Sequence, residues 1–347
     1  MARKPYRVEI TYPSKRKPQY FLVKEIRVGD KHRKIKRYMG SGDTPPSAYD
    51  VQQYCEKFAY EMEMKAALKK AEMSSASYTS DYLTREQISY LEEIRFIYKS
   101  FRDLLTINEL EAYEKNFEIK YIQGTTFIEG NTLSLAEASD LILRGIQPKD
   151  KTLRETNEVQ NFKKVIAYRN KYRGKITLDF IKRLHALIMY NIDDDSAGCF
   201  RRSDDIGIAG CALRVAVAEE IESSLDLSIN HYYSQLEKKC HPFEEAAMFH
   251  HKFESIHPFT NGNGRVGREI FNYMLTREKY PRLLFLGDNR DTYLNALRSG
   301  DQNNYAEMVS VFAEIIRDQR YKILYKNLEK VARPTRMTGQ VKLTDYL

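Results

Sequence analysis

Apolar residues recur at helical spacing along most of this chain. Val51, Tyr54, Cys55, Phe58, Met62 and Leu68 form one stripe between Ala48 and Ala71. Ile88, Leu91, Ile94, Ile97 and Tyr98 form another. It follows Thr84-Arg85-Glu86-Gln87, where a threonine N-cap and a carboxamide three residues on spell a capping box. The same periodicity, punctuated by Gly, Asp and Asn, predicts helices over about 106–122, 134–144, 152–172, 177–191, 218–239, 242–256, 264–279, 291–299 and 303–330. Two stretches break the rhythm. Residues 6–40 alternate in a β-like manner in three runs, Arg7–Tyr12, Tyr20–Val28 and Lys34–Met39, with a Gly29-Asp30 turn, and predict a small antiparallel meander. Residues 198–217 read as a strand, a Gly-rich turn and a returning strand, a hairpin that must be pinned on the helical body or serve as a docking edge. The fold class expected is therefore mainly α, with one short hairpin and an N-terminal β meander.

Composition narrows the class further. The 347 residues are 42% hydrophobic and 30% charged, which suits a globular protein. No run approaches the length of a membrane-spanning helix, and Met1–Tyr6 leads into no apolar core of the signal-peptide kind, so a cytoplasmic protein without membrane partners is expected. Cys55, Cys199, Cys211 and Cys240 form no CxxC pair and read as reduced structural thiols. The net charge of +8 is uneven: residues 1–40 hold thirteen Lys or Arg against three acids, Glu9, Glu25 and Asp30. The basicity thus belongs to the meander. It reads either as a nucleic-acid or acidic-partner surface or as a charged edge that keeps a small sheet soluble. Ser41–Ser47, with two prolines, is a linker. The domains expected are a basic meander over 1–44, a helical linker region over 45–114, a catalytic body over 115–300, and a C-terminal helix and tail over 301–347.

The chemistry concentrates in His257-Pro-Phe-Thr-Asn-Gly-Asn-Gly-Arg-Val-Gly-Arg268, which lies between two apolar helical patterns. A Gly-Asn-Gly turn that opens a helix presents backbone N–H groups to an anion. Arg265 and Arg268, three apart, share a helix face and are expected to hold one polyphosphate together. His257 is the titratable group at the mouth of that cradle. Such a set suits transfer of part of a nucleotide to a nucleophile. Gly262-Asn-Gly-Arg-Val-Gly267 also matches G-x-G-x-x-G, but a helix rather than a strand precedes it, which excludes the dinucleotide-binding reading.

The same twelve residues resemble the Fic-family signature, HxFx(D/E)GNGRxxR, and the resemblance extends over roughly residues 115–300. It implies a Fic-type helical bundle with a β-hairpin flap, and transfer of AMP from ATP to a hydroxyl of a target protein. Carried over, it makes His257 the general base for a Ser, Thr or Tyr hydroxyl. Gly262, Asn263 and Gly264 would hold the α-phosphate, Arg265 would contact the phosphates, Arg268 would pair with the γ-phosphate, and Phe259 would seat the loop. Asn261 stands where the family has a Mg²⁺-binding acid, so the resemblance implies magnesium at a weakened site. Thr125-Thr-Phe-Ile-Glu129-Gly-Asn131 resembles the family's inhibitory motif, with Glu129 reaching Arg268 and holding the enzyme in check. Ile206, Gly207, Ile208, Val215 and Val217 would form the flap edge that docks an extended target segment. Self-modification and a homodimer stay open as partners. So do two other functions: AMP removal or transfer of another phosphate-linked group, and a nucleic-acid-associated regulator with an attenuated core.

Overall fold

In the computed structural model, residues 6–204 and 215–332 are described. They form three strands, β1 (Arg7–Thr11), β2 (Gln19–Val28) and β3 (Lys31–Ser41), followed by eleven α-helices. These are α1 (Ala48–Ser75), α2 (Arg85–Leu104), α3 (Ile107–Ile128), α4 (Leu135–Arg144), α5 (Leu153–Lys171) and α6 (Leu178–Met189), then α7 (Ile221–Glu237), α8 (Pro242–Ile256), α9 (Asn263–Arg277), α10 (Arg290–Asp301) and α11 (Tyr305–Ala332). The predominantly helical fold with a small antiparallel sheet is thus borne out. Each helix predicted from periodicity appears within a few residues of its expected ends.

Local chemistry sets those ends. Ser47 with Asp50, Ser134 with Glu137, and Thr152 with Glu155 form reciprocal capping boxes at the starts of α1, α4 and α5. Gly145, at φ 70°, ends α4 in the left-handed conformation that costs glycine least. The antiparallel sheet runs β1-β2-β3, and the two-residue Gly29-Asp30 turn, with Gly29 at φ 55°, fixes the β2–β3 register.

The described residues fall into two compact units. One draws on the described residues within 6–78, 85–113 and 320–332; in it Ile26, Val28 and Ile35 of the sheet pack on Ala66 and Met73 of α1. The meander shares this unit with helices α1 and α2. The other unit comprises residues 79–84 and 114–319. Its core is aromatic: Tyr121, Phe162, Phe180, Phe243, Phe253, Phe259 and Phe271 are all essentially inaccessible. Helices α8 and α9 lie side by side at its centre, flanked by α6 and α7. Gly267 permits that approach, because a Cβ there would sit 2.3 Å from a Glu254 carboxylate oxygen and 3.0 Å from the Phe253 ring. Of the expected hairpin, residues 198–204 and 215–217 carry no strand, and its remainder lies outside the described residues.

Candidate active site

The loop between α8 and α9 is built from both ends. Pro258 cannot continue a helix and disfavours helical backbone in the residue before it. His257 ends α8 in the left-handed region, at φ 50° and ψ 60°, an uncommon conformation for a residue other than glycine. Arg201 fixes this end. Its guanidinium is buried and donates to the carbonyls of His257 (2.8 Å), Ser203 (2.9 Å), Ile256 (3.3 Å) and Ala216. Its own N–H donates to the Pro258 carbonyl at 2.9 Å. A cation on the last carbonyls of a helix also meets the negative end of the helix dipole.

Phe259 is fully buried and stacks on His185 of α6, with ring centroids 3.7 Å apart. His185 Nδ1 accepts from the Gly198 N–H at 2.9 Å, so the proton lies on Nε2, which donates to the Asn261 carbonyl at 3.0 Å. Burial lowers the pKa of this imidazole to about 4. It is a neutral brace.

The next residues differ from what was expected of them. The Asn263 carboxamide is buried in the loop rather than offered to an anion: its Oδ1 accepts from Phe259 N (2.9 Å) and its Nδ2 donates to Phe259 O (2.7 Å). The Gly262 N–H, expected in the anion cradle, donates instead to Asn261 Oδ1 at 2.7 Å. That same oxygen lies 3.4 Å from the Arg265 guanidinium. A carbonyl oxygen so occupied, facing a cation, does not suit a divalent metal. Among the described residues no group of three His, Cys, Asp or Glu side chains gathers to supply one.

Arg265 and Arg268 do not converge on one point either. Both are buried, but Arg265 reaches Glu158 of α5 (Nη1 to Oε1, 3.1 Å), whereas Arg268 reaches back to the end of α3. Its Nε donates to Thr125 Oγ1 (2.9 Å), and Nη2 donates to Thr125 O (2.9 Å) and Glu129 Oε1 (2.8 Å). The Glu129 carboxylate stands over the first turn of α9: a Cβ built on Gly264 would lie 2.5 Å from its Oε1. This is where a helix leaves its first N–H groups without helical partners. Glu129 keeps 27% of its side-chain surface open.

The charges follow. Burial opposes ionisation of Glu129, but Arg268 and Arg265 outweigh it and hold its carboxyl below the usual range. Burial also disfavours the charge on Arg268, and Glu129 more than restores it. Glu254 is pushed up to about 8 by burial and has an oxygen without a hydrogen-bond partner, so Glu129 is the ionised carboxylate beside Arg268. The His257 pKa is lowered, chiefly by burial, and its Nδ1 has no partner. The ring is thus held neutral, the form that can accept a proton.

Sequence reasoning singled out Thr125, Glu129, His257 and Arg268, and the structure brings Thr125 and Glu129 onto Arg268. It did not assign Glu158 or His185, which lie far along the chain from the loop and have no motif of their own. Glu254 and Arg201 stand in stretches that resemble the family's lead-in helix and flap region, but nothing in the spacing gave them a role. Of the flap residues, Val215 is half-buried and Val217 exposed, neither in a strand; Ile206, Gly207 and Ile208 lie outside the described residues.

Comparison with known proteins agrees with this geometry. Residues 175–275 match the Fic/DOC family. The Aedes aegypti protein adenylyltransferase Fic is 29% identical over 245 residues, covering 67% of this chain and 47% of that protein. The Caenorhabditis elegans protein adenylyltransferase fic-1 is 26% identical over 233 residues, covering 65% and 45%. The chain thus spans about half the length of these relatives. Among solved structures, a Fic domain containing signaling protein from Bacteroides thetaiotaomicron aligns with a TM-score of 0.60 at 22% identity, covering 68% of this chain and 98% of that one. A Caenorhabditis elegans Fic-1 fragment aligns with a TM-score of 0.59 at 21% identity, covering 80% of each. With its signature loop seated between α8 and α9, this chain carries a domain of the Fic/DOC family.

Proposed function

We propose that this protein transfers AMP from ATP to a hydroxyl group of a target protein, and that Glu129 holds the activity in check. The contact of Glu129 with Arg268 at the N-terminus of α9 carries this reading, because an internal carboxylate there marks the place of a substrate anion. In the reaction, the target hydroxyl oxygen attacks the α-phosphorus and the bond to the β-phosphate oxygen breaks. Pyrophosphate leaves with the bonding electrons, and His257 takes the hydroxyl proton. The first turn of α9 and the Arg268 guanidinium meet the charge on the phosphates. Asn261 offers no free oxygen to a divalent cation, so no step is assigned to one here.

Glu129 inhibits by occupancy. Each charge-assisted hydrogen bond it makes to Arg268 is one that a phosphate must displace, at a cost of about 1.5–3 kcal/mol. Glu129→Gly should therefore raise incorporation of label from α-labelled ATP by at least roughly tenfold. The assay runs wild type and variant with each of the four α-labelled ribonucleotides, and reads self-modification by mass spectrometry. Equal labelling of both proteins removes the inhibitory role of Glu129. Labelling from another nucleotide in place of ATP changes the donor.

A further inference from the structure

The basic sheet of the first unit takes no part in this chemistry, and its cations stand on both faces. Lys24 and Arg37 are half-buried and pair with Glu63 and Glu61 of α1, on the side where Ile26, Val28 and Ile35 meet that helix. The register sets Phe21 against Tyr38, Val23 against Lys36, Glu25 against Lys34, and Arg27 against His32 on the opposite side. There Glu9 joins Lys34 at 3.0 Å and also Lys36, and Arg7 joins Glu25 at 2.7 Å. Pairing with β1 ends at Val23. Beyond it, Lys24–Val28 and Lys31–Ile35 continue as a two-stranded ribbon to the Gly29-Asp30 turn. Arg27 and Lys34, with His32, are exposed on that opposite side of the ribbon, and Lys31 and Arg33, set against Val28 and Ile26, are exposed from its other side, so the cations ring the ribbon; its acids are Glu25 and Asp30.

We propose that the β2–β3 ribbon is a docking surface for duplex DNA. The cations are strung along two strands at about 3.4 Å per residue rather than gathered at a point, which fits an extended polyanion and not a small anion. A two-stranded ribbon matches the B-form major groove, roughly 12 Å wide. The A-form major groove of duplex RNA is too narrow to admit it. A membrane surface is the weaker partner, because the exposed large apolar residues of the sheet, Ile10, Tyr12 and Tyr38, all lie outside the ribbon.

The test uses the full chain and a fluorescein-labelled DNA duplex of about 20 base pairs, followed by anisotropy across a salt series around 0.15 M. Binding is expected, with affinity falling linearly on a log–log plot against salt. Lys31→Gln/Arg33→Gln/Lys34→Gln should weaken it at least roughly tenfold and make the slope shallower by about 2.7, three phosphate contacts at about 0.9 each. A control with the same charge change in the other unit, Lys115→Gln/Lys149→Gln/Lys163→Gln, should bind like wild type. Should the triple ribbon variant lose its native circular dichroism, Arg33→Gln alone should make the slope shallower by about 0.9. No duplex binding near 0.15 M salt overturns the proposal. So does equal weakening by both triple variants, or a preference for duplex RNA or for vesicles of anionic phospholipid over DNA.

Discussion

The two ends of the signature loop are held in opposite ways. At the α8 end, Arg201 donates mostly to carbonyl oxygens of the main chain, with the Asp204 carboxylate 3.4 Å away as its one acidic neighbour, and no small anion can replace those carbonyl acceptors. At the α9 end, Arg268 is held by a side chain more than a hundred residues away, through a carboxylate that keeps 27% of its surface open. The first arrangement fixes His257. The second leaves a charged position that another anion can take. A transferase needs both properties: a base whose geometry does not drift, and an anion site that exchanges its occupant.

The sharpest way to break this comparison is at His257. In the Glu129→Gly background, His257→Ala should lower kcat by about 10²–10⁴-fold, the usual contribution of a general base. The KM for ATP should barely change, because the phosphates are held at the α9 end. Labelling that persists within roughly tenfold would remove His257 as the base. A large rise in KM would show that the two ends are not separable.

Acid probes the fixed end. The pKa of His185 is lowered by burial to about 4, against about 6.5 in the unfolded chain. The unfolded state therefore takes up the proton first as pH falls. The stability is fully present above about pH 6.5 and is lost progressively toward pH 4, by about 3 kcal/mol for this group alone. His250, lowered to about 3 by burial, adds to the loss with the same sign. Urea midpoints between about pH 7.5 and pH 4.5 measure it, and His185→Gln should flatten the profile. An unchanged profile in that variant would mean the His185 brace contributes nothing to acid sensitivity.

Arg201→Ala tests the same end more gently. It strips donors from buried carbonyls of His257 and Ile256 and should cost roughly 2 kcal/mol in thermal or urea unfolding. Labelling should fall with it in the Glu129→Gly background. A stable variant with full activity would show that the α8 end needs no clamp.

What the sequence made legible follows from how local each feature is. Helix periodicity, capping residues and the Gly29-Asp30 turn are written within a few neighbouring residues, and the elements they predict are present. The signature loop is likewise contiguous, so its place between two helices could be read. The partners of its arginines could not be read from spacing. Arg265 and Arg268 share a helix face, yet that says nothing of Glu158, which arrives on α5, or of Glu129, which arrives in the turn after α3. The family resemblance assigned Asn263 to the α-phosphate; in the structure both ends of its carboxamide bond the Phe259 backbone. Of the β-like run at 213–217, the described residues Val215–Val217 carry no strand, and the rest lies outside the described residues.

Glu158 offers the finest test of the α9 end, because it ties Arg265 to the turn that carries Glu129. Its Oε1 lies 3.1 Å from Arg265, and its Oε2 accepts from Asn131 Nδ2 at 2.9 Å. Asn131 follows Glu129 by two residues and also binds Glu155 O and Leu133 N, so it shapes the turn that aims Glu129 at Arg268. Glu158→Gln keeps the volume but cannot both accept from Asn131 and carry charge toward Arg265. A loss of about 1 kcal/mol in the hold on that turn should raise labelling about two- to fivefold in the wild-type background. The gain should vanish in Glu129→Gly, where no carboxylate remains to be aimed. An equal gain in both backgrounds would assign the effect to Arg265 instead. No gain in either would leave Glu158 as a purely structural tie, and the exchangeable end of the loop would then rest on Glu129 and Thr125 alone.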